Sequence, residues 1–269
     1  MSKLNNLSLI NSIKTYINNN KIYAKHFDFS YKTQNYSLDE VLPEIIKIIK
    51  YANPWRSSYI NHSTLYSVYK KMLKMNIIKN TYIELLNLYI KKQPNKKLKY
   101  LYTDTTCIKN KYGSELVKYN GHKKMNCTKV SFITDSNGIP INVGIFSGSK
   151  HDSQIFIEQL NNKMLIDETL LNKNKKYMLA DSGYDTNDIK QILNDLNFTS
   201  IIANNKRRKK QRIIFNAKYK RIYSKRIKIE HTNELFKTNR RCNCRYDKNI
   251  NTFEVSIYLS RVDLILKYM

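Results

Sequence analysis

The apolar positions between Val41 and Ile90 recur with a helical period. Val41, Leu42, Ile45, Ile46 and Ile49 form one stripe, Leu65, Val68, Tyr69, Met72 and Leu73 a second, and Tyr82, Leu85, Leu86, Tyr89 and Ile90 a third. Ser37-Leu38-Asp39-Glu40 precedes the first stripe as a capping-box-like start, with Glu40 spaced to reach back to the Ser37 amide. Pro54 and Pro94 punctuate the runs. Residues 1–97 therefore read as helical. Three short helices with basic faces suggest a helix-turn-helix-type module, and an all-α cap with solvated lysines fits the same pattern.

The polar stretch from Lys91 to Lys99 is the best domain boundary, and the period changes after it. Leu98–Thr105, Thr128–Asp135 and Ile139–Ser147 are short, β-branched and bounded by turn residues, so they predict strands. Asp135-Ser136-Asn137-Gly138 is a turn between two of them, and the three make an antiparallel meander. His151-Asp152-Ser153 opens a helix, with Asp152 or Ser153 as N-cap. Lys176–Ala180 predicts a fourth strand, Thr186–Leu196 a helix and Thr199–Ala203 a fifth strand. A long basic helix starts at Tyr219, and Val255–Leu266 is a last apolar helix. The order βββαβαβα over residues 98–269 is that of an α/β, ribonuclease-H-like mixed sheet. It follows the N-terminal all-α, helix-turn-helix-like module of residues 1–97.

Charge narrows the partner. The chain of 269 residues carries 48 Lys+Arg against 21 Asp+Glu, a net +27. With 41% hydrophobic and 12% aromatic residues it can build a core, so disorder does not explain that charge. A polyanion partner or counterions must offset it, and the candidate partners are nucleic acid first and an anionic membrane surface second. An AT-rich coding sequence would also enrich Lys, Asn, Ile and Tyr. It would not place nine of the ten arginines after residue 205, as found here. No run approaches the ~20 apolar residues that span a bilayer. No secretory signal is apparent, and four cysteines are no disulfide framework. The expected setting is intracellular, without a membrane.

Asp104 and Asp181 end the first and fourth predicted strands, where apolar residues give way to polar ones. In a ribonuclease-H-like sheet these strands are neighbours, so the two carboxylates would meet. Like charges in contact are unfavourable unless a cation bridges them. A hard ion such as Mg²⁺ suits oxygen ligands. Glu230 is the candidate third carboxylate. It follows a stretch from Lys206 to Lys228 with twelve Lys/Arg and no acid. Taken alone, Glu230 reads as well as an i,i+4 ion pair with Arg226, worth ~0.3–0.5 kcal/mol. The wider spacing Tyr223, Arg226, Glu230, Lys237 would put a ring, a guanidinium, a carboxylate and an ammonium on one helix face. That face suits a DNA strand held at its phosphates.

With these residues in place, the chain resembles the DDE-type insertion-sequence transposases of the YREK-signature groups. Asp104-Thr105-Thr106 resembles the first-Asp block, Gly121 to Asp152 the block that follows, and Ala180 to Asp185 the second-Asp block. Arg240, Arg241, Arg245 and Tyr246-Asp247-Lys248 resemble the basic segment after the Glu, and Pro54-Trp55-Arg56 the N-terminal module. The resemblance implies that Asp104, Asp181 and Glu230 bind two Mg²⁺ ions, with Mn²⁺ as a substitute and no nucleotide cofactor. It implies cleavage at element ends, then attack of the freed 3′-hydroxyl on target DNA. Tyr223, Arg226, Lys237, Arg240 and Arg241 would contact DNA, and Lys206, Arg207 and Arg208 would belong to a basic clamp. The partners implied are terminal inverted repeats and target DNA, bound by a homodimer. A domesticated endonuclease that cuts without joining, and a non-catalytic nucleic-acid-binding protein, are the alternatives. The 49-residue step from Asp181 to Glu230 leaves no room for the large β insertion of some relatives, and the only tryptophan is Trp55. Cys242-Asn243-Cys244 with His231 lacks the usual zinc spacing.

Overall fold

The computed structural model describes residues 3–28, 36–92, 94–162, 164–166, 169, 176–204 and 216–269. Its helices are α1 (Lys3–Asn19), α2 (Lys21–His26), α3 (Leu38–Tyr51), α4 (His62–Lys74), α5 (Ile77–Lys92), α6 (Pro94–Lys97), α7 (Asp152–Asn161), α8 (Asn187–Asp195), α9 (Ala217–Tyr223), α10 (Ile227–Lys237), α11 (Arg240–Asn243) and α12 (Ile250–Leu266). The strands used below are β1 (Tyr100–Asn110), β2 (Lys118–Asn120), β3 (Met125–Thr134), β4 (Pro140–Ser147), β5 (Lys176–Ala180) and β6 (Phe198–Ile202). The chain divides into two compact units. One comprises Met1–Leu85, Lys111–Gly113 and Phe236–Met269, the other Leu86–Asn110 and Ser114–Leu235.

The first unit is helical. Leu9, Ile13 and Ile17 recur every four residues along α1 and are fully buried, on a helix that packs against α12. The α3 stripe of Val41, Leu42, Ile45, Ile46 and Ile49 is buried as its spacing predicts. At the head of α3 the Ser37 amide donates to Glu40 Oε2 at 2.8 Å. That bond draws the Glu40 carboxyl below its usual pKa. Helix α12 is buried on all sides from Val255 to Ile265, which is why it shows no amphipathic period. Its buried Asp263 takes an ion pair from the equally buried Lys50.

The second unit is built on a mixed sheet. Strand β1 pairs antiparallel with β3, and β3 pairs antiparallel with both β4 and the short β2. On its other edge β1 runs parallel to β5, and β5 parallel to β6. Without β2 the order is β4-β3-β1-β5-β6. Four findings refine the sequence pattern. Strand β1 runs five residues beyond the expected Thr105, to Asn110, so Asp104 lies within the strand and not at its end. Strand β2 belongs to an exposed Lys-rich hairpin that lacks alternation. The helix at residue 152 is capped by His151, whose Nδ1 accepts from the Ser153 amide at 3.3 Å, and not by Asp152 or Ser153. The long basic helix is broken by a 3-10 turn at Ser224–Arg226 into α9 and α10. Ser224 Oγ donates to the Arg221 carbonyl at 3.0 Å there, a local bond of the kind that competes with the helical ladder.

The β3–β4 turn is organised by Asp135, which is fully buried. Its Oδ1 accepts from the amides of Asn137 at 2.9 Å and Ile139 at 2.8 Å. Its Oδ2 accepts from the Tyr89 hydroxyl at 2.7 Å, and that hydroxyl accepts from Asn137 Nδ2 at 2.6 Å. Burial pushes the Asp135 carboxyl up to about 6 despite these donors. Tyr89→Phe leaves both Oδ2 and Asn137 Nδ2 short of a partner. It is expected to cost about 1–3 kcal/mol in urea unfolding. A loss well below that range would mean that the turn stands without the phenol.

Candidate active site

The register of the parallel pair sets the site. Tyr102 on β1 stands beside Leu179 on β5. Two residues on, Asp104 and Asp181 come to the same level on neighbouring strands, on one face of the pleat. The Asp104 carboxyl rises from 3.8 to about 6. Burial is the first cause and the charge of Asp181 adds to it, while the Thr105 amide and Arg226 act against it. Asp181 sits where β5 ends and accepts from the Gly183 amide at 2.6 Å. Next to Asp104, the Thr105 hydroxyl is 3.0 Å from the hydroxyl of buried Tyr184.

Helix α10 packs across β1 beside Asp104. Ile229, Thr232 and Asn233 turn inward from α10. The Thr232 hydroxyl donates to the Gly138 carbonyl at 2.9 Å, anchoring α10 to the β3–β4 turn. Asn233 Nδ2 donates to Asp104 Oδ2 at 2.8 Å, anchoring the same helix to β1. Glu230, one turn before Asn233, keeps 49% of its side chain exposed and pairs with Arg226 at 2.7 Å. The Arg226 guanidinium lies 5.8 Å from the Tyr223 ring. The Tyr223 phenol is raised by burial, with Arg226 lowering it and the charges of Asp181 and Glu230 raising it. Asp104, Asp181, Tyr223, Arg226 and Glu230 thus act on one another electrostatically. Among the described residues no three His, Cys, Asp or Glu side chains close into a group able to hold a metal ion.

The single helix face expected for Tyr223, Arg226, Glu230 and Lys237 is not formed. Tyr223 ends α9, Arg226 lies in the 3-10 turn, and Glu230 and Lys237 are on α10. Arg240 is exposed. Arg241 is buried and committed within the fold, with Nη1 on Asp247 at 3.1 Å and Nε on the Ile48 carbonyl at 3.3 Å. Arg245 is likewise buried, donating to the carbonyls of Asp247 and Lys248 at 2.9 Å each. Lys206, Arg207 and Arg208 lie outside the described residues. Asn233 was not singled out by its spacing. The signal was its place one helical turn beyond Glu230.

A shallow groove of about 490 Å³ also belongs to this unit. Tyr100, Lys218, Arg221, Ile222 and Lys225 line it, with no acidic side chain. Lys225 Nζ stands 4.2 Å from the Tyr100 ring, which stacks on Tyr177 at 5.3 Å. No helix of the described residues is long and apolar enough to cross a membrane.

Among solved structures, the chain is similar to the catalytic domain of Mos1 mariner transposase, at 13% identity over 61% of this chain and 89% of that one, with a TM-score of 0.30. It is also similar to the Mos1 transposase paired-end complex with left transposon end, at 11% identity over 87% and 77%, with a TM-score of 0.28. No curated protein matches the sequence. The family model described as transposase DDE domain matches residues 93–259. That match takes in the whole strand framework and all three candidate carboxylates, and by it the chain, with its mixed ribonuclease-H-like sheet, belongs to the transposase DDE domain family.

Proposed function

We propose that this transposase cleaves DNA at element ends and joins the freed 3′-hydroxyl to target DNA, using Asp104, Asp181 and Glu230. The observation that carries the reading is the Asp104 carboxyl on β1, pushed up to about 6 chiefly by desolvation, with Asp181 at the end of the neighbouring parallel strand β5. Such a pair is under-compensated, and its all-oxygen donor set fits a hard divalent ion. When bound, two Mg²⁺ ions would polarise the scissile phosphate and stabilise the attacking and leaving oxygens.

The chain's own residues do the rest. Asp104 holds its oxygens within β1 and Asp181 at the end of β5. Glu230 leaves Arg226 and turns its carboxylate to the same site, a surface pair whose release costs about 1 kcal/mol or less. Arg226 is then free for a phosphate, and Tyr223 packs on the strand. Lys237 and Arg240 reach backbone phosphates, while Arg241 is spent inside the fold. The cationic groove of Lys218, Arg221 and Lys225 offers a path for the strand. The reading places the protein at DNA inside the cell, acting as a homodimer on two ends.

The test uses purified protein, Mg²⁺ or Mn²⁺, and DNA carrying the sequences that flank the reading frame. Expected results are metal-dependent nicking at the ends and joining of pre-cut 3′-ends to a plasmid. Nicking without joining would favour the endonuclease. Binding with neither would favour the non-catalytic reading.

A further inference from the structure

We infer that Asn233 is a positioning residue of the metal site, holding the Asp104 carboxylate in one orientation toward the ion. This rests on the proposed function, since it assigns a role toward the divalent ion of that site. Asn233 is 9% exposed, and its Nδ2 bonds Asp104 Oδ2 at 2.8 Å. Its Oδ1 is buried without a hydrogen-bond partner among the described residues. A carboxylate only accepts, so Asp104 dictates which way the amide turns. The carbonyl is then left over. A buried polar atom with no partner is rare in a folded protein and calls for a reason.

Packing alone does not supply it. The inward face of α10 is otherwise Ile229, Thr232 and Phe236, and an aliphatic residue at position 233 would leave no orphan. What Asn233 adds is one directed N–H on a single carboxylate oxygen. It locks the Asp104 side chain and joins the strand that carries Asp104 to the helix that carries Glu230, three residues earlier. Bonds of this kind, behind a metal ligand, set its orientation and typically change metal affinity 10–100-fold when lost.

Mn²⁺ binding to the full chain without DNA, read by electron paramagnetic resonance, tests this. Asn233→Leu and Asn233→Ala both remove the donor, and Asn233→His keeps an N–H at the same reach through Nδ1. The expected result is binding weakened about 10-fold or more in the first two. In the His variant it should be restored to within about threefold of the parent. Binding of end DNA in EDTA should be unchanged in all three. The inference is overturned if a folded Leu or Ala variant binds Mn²⁺ as tightly as the parent, or if the His variant is as weak as the Ala variant. Asp104→Ala run alongside separates the two claims: parent Mn²⁺ binding that is insensitive to Asp104 overturns the metal reading of the site itself.

Discussion

Asp104→Asn is expected to abolish strand cleavage, by a factor on the order of 10³, and at the same time to make the protein more stable at neutral pH. The first effect follows from the proposed role of Asp104, since an amide is a poorer ligand for a divalent ion. The second follows from the cost of burying it. In the folded chain the Asp104 carboxyl titrates at about 6, against an ordinary 3.8. Between those values the folded state keeps a proton that the unfolded state has lost. This group's contribution to stability therefore falls as pH rises from about 4, and the loss is complete above about 6. A rise of that size corresponds to at most about 3 kcal/mol. The amide carries no charge to bury, and its Oδ can still accept from Asn233. In EDTA, the Asn variant should melt about 5 °C above the parent at pH 7.5 and much closer to it at pH 4. Adding Mg²⁺ should raise the melting temperature of the parent and not of the variant. Equal melting temperatures at both pH values would mean that Asp104 is not strained by its site. Retained cleavage would remove it from the chemistry.

Gly138→Ala is expected to cost about 3 kcal/mol and to impair cleavage beyond what the lost stability explains. Gly138 has φ +82, where a side chain is strained, and an added Cβ would stand 2.4 Å from Thr232 Oγ1 and 3.4 Å from the Lys228 carbonyl. Thr232 is two residues after Glu230, so whatever yields there moves the helix that carries the third carboxylate. The two contributions can be separated. Thr232→Ala alone removes the hydroxyl whose proton the Gly138 and Lys228 carbonyls share, about 1 kcal/mol. In the double variant the nearest side-chain atom left is the Cβ of residue 232, which stood 3.9 Å away. Urea unfolding should then show the double variant less destabilised than the sum of the singles by about 1–2 kcal/mol. Strict additivity would show that the overlap relaxes without moving α10.

Asp181 was legible because the end of its strand is written locally. Leu179 and Ala180 are buried and Asp181 is not, whereas β1 runs on past Asp104 to Asn110. The same holds for the Asp135 turn, whose bonds to Asn137 and Ile139 span two and four residues. Glu230 was legible only as a choice between a surface ion pair and a ligand. The ion pair with Arg226 is the arrangement the structure holds.

By itself, then, the sequence determined the elements whose signals lie within a few residues: the α3 stripe, strands β1 and β3 to β6, the Asp135 turn and the end of β5 at Asp181. The tertiary structure alone decided the break at Ser224–Arg226, the all-round burial of α12, the inward turn of Arg241 and Arg245, and the bond from Asn233 to Asp104. The reason is range. A cap, a turn or a periodic stripe is settled by neighbours along the chain. Whether a guanidinium faces solvent or a buried carboxylate, and which oxygen an amide reaches 129 residues away, depends on segments brought together only by packing.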